Sequence, residues 1–288
     1  MPFLIPNKLS KIPVKAFKVD AVKSKNKFTP PDPLPKTSFL MYIVGMPKSG
    51  KTHLWTQMML SGSKPGEPKY YYKWFAKTHL FSGSLDTLIE DVPVVKDMLN
   101  AIDKDENPDP MAHLKITDDL IYKTINRLRE DKNDQYLFII DDLIMDIHKS
   151  KAFAAITFNR RHCTQDSSKK GTGGLAIMLV SQKYNELKLT YRTVCSDIVL
   201  FRTNNSAERN TIRRELMGDL NPDQQDQLME DAWREDHSFL FIKATEPTRS
   251  RYYINFDLYV FDETPLRKNK KKDLHAADER PLKKNKNK

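Results

Sequence analysis

The chain has 288 residues, 39% of them hydrophobic and 30% charged, with a net charge of +10. That length allows one large α/β domain or two small ones with a substantial core. No apolar run reaches the ~20 residues of a membrane-spanning helix, and Cys163 and Cys195 are too few for a disulfide framework, which excludes those two classes.

The charge is uneven. Residues 1–38 carry eight lysines against Asp20 and Asp32, a net +6, and residues 267–288 carry ten Lys/Arg against three acids, a net +7. The middle is therefore slightly acidic, at −3. Basic ends attract polyanions through counterion release, or serve as solvated tails; "RKNKKK" also has the texture of a nuclear-targeting run. The start, "MPFLIPNKLSKIPVK", is interrupted by Pro6 and Pro13 and lacks an apolar h-region, so no signal peptide and a reducing, intracellular setting are expected.

In chain order, the Pro- and Lys-rich segment ending in "TPPDPLPKT" predicts an extended arm over 1–37. "FLMYIV" (39–44) is a continuous apolar run of strand length, followed by a helix from Thr52 to Leu60. "KYYYKWFA" (69–76) reads as a strand, and "DDLIYKTINRLRED" (118–131) has helical spacing at Leu120, Ile121, Ile125 and Leu128. "YLFIIDD" (136–142) predicts a buried strand and 149–162 a helix, then a polar loop with three glycines. "LAIMLVSQ" (175–182) and "SDIVLFRT" (196–203) predict two more buried strands. Two helices follow, the second with Pro222 early and Asn221 as N-cap, then a terminal strand pair within 237–245 and 251–261. Strands alternating with helices predict one α/β domain over 38–266, a mainly parallel sheet flanked by helices, and a basic tail over 267–288.

Gly45-Met46-Pro47-Lys48-Ser49-Gly50-Lys51-Thr52 fits G-x-x-x-x-G-K-[ST], and it stands between a predicted strand and a predicted helix. The glycines let the backbone curl so that successive N–H groups face an anion, and the helix start adds its positive dipole end. Lys51 can reach β- and γ-phosphates, and the Thr52 hydroxyl can ligate Mg²⁺. Asp141 ends an apolar strand about ninety residues later, where a metal-side acid belongs, and Asp142 can orient and deprotonate an attacking water. Ser181 and Gln182 end a third strand. Gln182 either senses the γ-phosphate or merely terminates the strand. Guanine-reading N-K-x-D is absent and Asp141 does not open a D-x-x-G, which turns the reading towards ATP; scattered His and Cys give no zinc spacing.

"GMPKSGKTHL", "YLFIIDDL", "FNRRH", "LVSQKYNELKLTYRT" and "DIVLFRTNN" occur together over roughly 39–216. In that order the chain resembles the genome-packaging ATPases of poxviruses and other large or medium-sized DNA viruses, within the FtsK–HerA superfamily. The resemblance implies an additional-strand P-loop ATPase with a 5-1-4-3-2 parallel core, acting as a ring oligomer, commonly a hexamer. It also implies ATP and Mg²⁺ as cofactors, and double-stranded DNA and a capsid or portal vertex protein as partners. The matching setting is host cytoplasm, viral factory or virion. It gives Lys51 and Thr52 phosphate and Mg²⁺, Asp141 the metal side, Asp142 the catalytic-acid place and Gln182 the polar sensor. Many members carry Glu where Asp142 stands. Arg161, within Arg160-Arg161-His162, and Arg192 fall where an arginine for the neighbouring subunit's γ-phosphate is sought, or else they are a basic helix end and an intrachain ion pair. Lys169 and Lys170, in "SSKKGTGG" (167–174), either touch DNA backbone in a ring channel or lie on an ordinary surface loop. Three other readings share the motif: a HerA-like or helicase ATPase in DNA processing, a P-loop nucleotide kinase, and a scaffold with a relic loop.

Overall fold

The computed structural model describes residues 29–62, 69–91, 95, 112–130, 135–164 and 174–261. The expected tail, most of the arm, and Lys169 and Lys170 lie outside the described residues. In chain order the strands are β1 (Leu40–Val44), β2 (Lys77–Ser82), β3 (Ala112–His113), β4 (Tyr136–Asp141), β5 (Leu175–Ser181), β6 (Asp197–Phe201), β7 (Phe239–Lys243), β8 (Tyr252–Ile254) and β9 (Asp257–Leu258). The helices are α1 (Lys51–Leu60), α2 (Leu85–Asp91), α3 (Asp118–Glu130), α4 (Ile144–Ile147), α5 (Lys151–Phe158), α6 (Leu189–Arg192), α7 (Ser206–Leu216) and α8 (Pro222–Ala232).

All nine strands among the described residues join one sheet in the order β3-β2-β4-β5-β1-β6-β7-β8-β9. From β3 to β6 every pairing is parallel, and from β6 onward every pairing is antiparallel. Setting short β3 aside, the parallel strands numbered along the chain lie in the order 5-1-4-3-2, the order implied by the resemblance.

The apolar runs are continuous because both faces of the sheet are covered. Leu40, Tyr42 and Val44 of β1 join a core that includes α3, α5, α7 and α8, whereas Met41 and Ile43 point to the opposite core with Trp55 and Met58 of α1. The strand expected at 69–76 is instead a run of turns, and the strand begins at Lys77. Lys73 adopts a left-handed φ of 56°, which breaks an extended run, and Tyr71, Trp74 and Phe75 are buried as anchors of the turns. Tyr71 and Trp74 donate to the carbonyls of Pro35 and Lys36, fastening the segment ahead of β1. The helix expected over 149–162 stops at Phe158, and the expected final strand divides at Asn255-Phe256, both at positive φ.

Candidate active site

The loop from Gly45 to Thr52 leaves the carboxyl end of β1 and enters α1. Gly45 donates to the Ser181 carbonyl at 3.2 Å, tying the loop to the end of β5. A Cβ on Gly45 would stand 2.4 Å from Ser49 Oγ and 2.6 Å from Phe201 Cβ, so close approach excludes any other residue. Gly50 is required for its conformation: it caps α1 at φ 106°, with no side chain bonded to the helix start. The first-turn N–H groups are thus left to face an anion. Ser49 Oγ is buried and has no partner among the described residues, as expected of a hydroxyl in a cradle for a polar ligand.

Lys51 is buried, and its Nζ donates to the carbonyls of Gly45 at 2.6 Å and Met46 at 3.1 Å. Burial holds its pKa below the ordinary lysine value, against the opposing pull of Asp142 and Asp141. A phosphate entering the loop offers this ammonium a charged acceptor in place of two neutral ones. Met46, Pro47 and Lys48 form the exposed crown, with Lys48 at φ 64°.

The acids arrive from β4, two strands from β1 with β5 between. Asp141 is 6% exposed, and burial, reinforced by Asp142, pushes its carboxyl up to about 7 against the pull of Lys51. Asp142 is exposed at φ 54°, a conformation Asp tolerates better than most residues. Its N–H donates to the Val180 carbonyl at 3.2 Å, and its Oδ2 accepts from Gln182 Nε2 at 3.1 Å. The structure thus brings together the loop, both acids and Gln182 at the carboxyl ends of adjacent strands.

Hard oxygen donors suit Mg²⁺, and Thr52 with Asp141 supplies them here. A carboxylate whose burial disfavours its own charge is also matched by a cation. The residues therefore fit the metal.

The two arginines lie elsewhere. The Arg160 carbonyl accepts from Leu175, and its Nε donates to the Ser38 carbonyl, which places this turn at the amino ends of β5 and β1. Exposed Arg161 is therefore a strand length, about 20 Å, from its own chain's loop. Arg192 forms a bidentate pair with Glu215, at 2.9 and 2.8 Å, and lies over the Tyr184 ring. This is the intrachain ion pair, and its guanidinium is already committed.

Phe201 and His237 escaped the sequence reading. The Phe201 stem seals the underside of Gly45, and His237 Nδ1 donates to the Ser49 carbonyl at 3.1 Å. Phe201 was findable as the end of the strand beside β1. His237 lies 188 residues from Ser49, and nothing local marks it.

The loop, the acids and the strand order decide the fold. It has the architecture of the additional-strand P-loop NTPases. No family model and no curated protein matches the chain. Among solved structures it is similar to the genome-packaging NTPase B204 of Sulfolobus turreted icosahedral virus 2 in complex with ATP-gammaS, at 14% identity over 77% of this chain and 98% of that one, with a TM-score of 0.49. It is similar to the DNA-packaging ATPase B204 of Sulfolobus turreted icosahedral virus at 13% identity, covering 76% and 97%, with a TM-score of 0.49. The N-terminal domain of zonular occludens toxin from Neisseria meningitidis matches at 12% identity, covering 79% and 96%, with a TM-score of 0.36.

Proposed function

We propose that this P-loop NTPase hydrolyses ATP to translocate double-stranded DNA, and that the DNA is a viral genome being packaged. The observation that carries hydrolysis is the Asp142–Gln182 contact at 3.1 Å, beside a complete phosphate loop. The packaging role rests on the sequence resemblance over roughly 39–216.

The loop N–H groups and Lys51 bind and orient the triphosphate. Thr52 and Asp141 would hold Mg²⁺, which when bound would supply charge neutralisation on the phosphates. Asp142 takes the proton of the attacking water, while Gln182 holds the carboxylate in place and senses whether the γ-phosphate is present. Water is the nucleophile because Asp142 and Gln182 are both exposed, open to solvent from the strand ends. Hydrolysis at subunit boundaries of a ring needs an arginine from the neighbour. Arg161 serves this role better than Arg192, since among the described residues it has no ion pair that would have to break first.

Translocation is tested by ATP-driven displacement of a triplex-forming strand from a DNA duplex. Wild type is expected to displace the strand and Asp142→Asn to bind ATP without displacing it. Hydrolysis without displacement, with a capsid vertex supplied, would refute the motor. Asn tolerates the left-handed backbone at 142, so the variant should fold. Full turnover by it would remove Asp142 from its role.

A further inference from the structure

A cavity of about 620 Å³ adjoins the loop on the side away from the acids. One wall is the α1 face carrying Leu54, Gln57 and Met58; the other is aromatic, built from Phe201, Phe239 and Phe256. The volume lies in the range of small-ligand sites, and the lining is apolar with a few polar groups, among them Gln57 and Asn255.

Its place relative to the acids gives it an occupant. Asp141, Asp142 and Gln182 stand at the ends of β4 and β5, on one side of β1. The cavity stands at the ends of β6 and β7, on the other. A triphosphate threaded through the loop with its terminal phosphate toward the acids has its nucleoside end on the β6 side. His237, at the cavity wall, also bonds the Ser49 carbonyl, so the cavity is joined directly to the cradle.

The turn that closes the cavity has an unusual sequence. Asn255 (φ 50°) and Phe256 (φ 77°) connect β8 to β9 in a two-residue turn, where glycine is the favoured second residue. A phenylalanine at left-handed φ is unfavourable, and such outliers gather at ligand sites. The Phe256 ring stands edge-on to Phe239 and Phe241 at 5.0 and 5.3 Å. Asn255 Oδ1 accepts from Ser238 Oγ and the Phe239 N–H, which leaves the amide Nδ2 as its donor for a ligand.

We infer that this cavity binds the purine base of the nucleoside triphosphate, with Phe256 as a stacking platform and Asn255 and Gln57 offering polar edges. The inference rests on the proposed nucleotide site. Its test separates base from phosphates: calorimetric titration of the full chain with Mg·ATP and with Mg·tripolyphosphate. Phe256→Gly, which relaxes the backbone while removing the ring, should weaken ATP about tenfold, the loss of one base–aromatic stack, and leave tripolyphosphate unchanged. Gln57→Trp, which fills the cavity from the surface of α1, should do the same without altering the turn. Wild-type ATP affinity in both variants would overturn the pocket and leave the nucleotide site standing. Parallel loss of both ligands in variants with an unchanged melting temperature would assign these residues to the phosphate cradle and overturn the pocket too. If wild type binds neither ligand, the proposed function itself falls.

Discussion

Asp141 is held in conflict between burial and charge. Its folded pKa of about 7 lies above the 3.8 of an exposed aspartate, so the folded chain keeps a proton that the unfolded chain has released. The stabilisation from this proton is full below about pH 4 and is lost as pH rises through 7. Asp141→Asn should therefore melt at a higher temperature than wild type above pH 7, with the gap closing towards pH 4, and should lose Mg²⁺-dependent hydrolysis. Equal melting temperatures across that range would show that Asp141 is not buried as charge. A buried carboxylate kept at such a cost beside the loop fits the metal-side role proposed for it. The loop and both acids were legible at this scale because the phosphate cradle requires particular residues at fixed spacing. His237 was not, because it meets Ser49 only through the tertiary fold.

At the scale of elements, the legible parts were those whose local chemistry agrees with the final packing. Asn221 caps α8 as expected, its Oδ1 accepting from the Gln224 N–H while Gln224 Oε1 accepts in return. The buried strands were legible as unbroken apolar runs. Lys69–Ala76 misled because aromatic residues favour strands, yet these rings are spent as buried anchors for turns. The true strand beside it, "KTHLFS", hides its register by burying Thr78, His79 and Ser82. The Arg192–Glu215 pair joins α6 to α7, and burial alone would raise the Glu215 carboxyl, but bonds from Arg192 and Tyr184 hold it low. Arg192→Ala leaves that carboxylate only the Tyr184 hydroxyl, at 3.1 Å, and the exposed Arg214 at 3.7 Å, and should cost roughly 2–3 kcal/mol by chemical denaturation. Lysine should restore only part, because it cannot form the bidentate pair. Loss of hydrolysis with no loss of stability would return Arg192 to a catalytic role.

At the scale of the whole molecule, the 5-1-4-3-2 sheet gathers the loop, the acids and Gln182 at one end, and the antiparallel extension β7–β9 adds the aromatic wall beside them. The basic ends carry the excess positive charge of a nearly neutral core. Deleting 267–288 should weaken duplex binding and flatten its dependence on log salt, because fewer counterions are released; an unchanged slope would make the tail a solubilising one. The most direct test of the motor is steady-state ATP hydrolysis with and without double-stranded DNA, with the mass in solution measured under ATP and Mg²⁺. Strong stimulation by DNA in a ring-sized oligomer is the predicted result. Turnover indifferent to DNA, in a monomer, would contradict it.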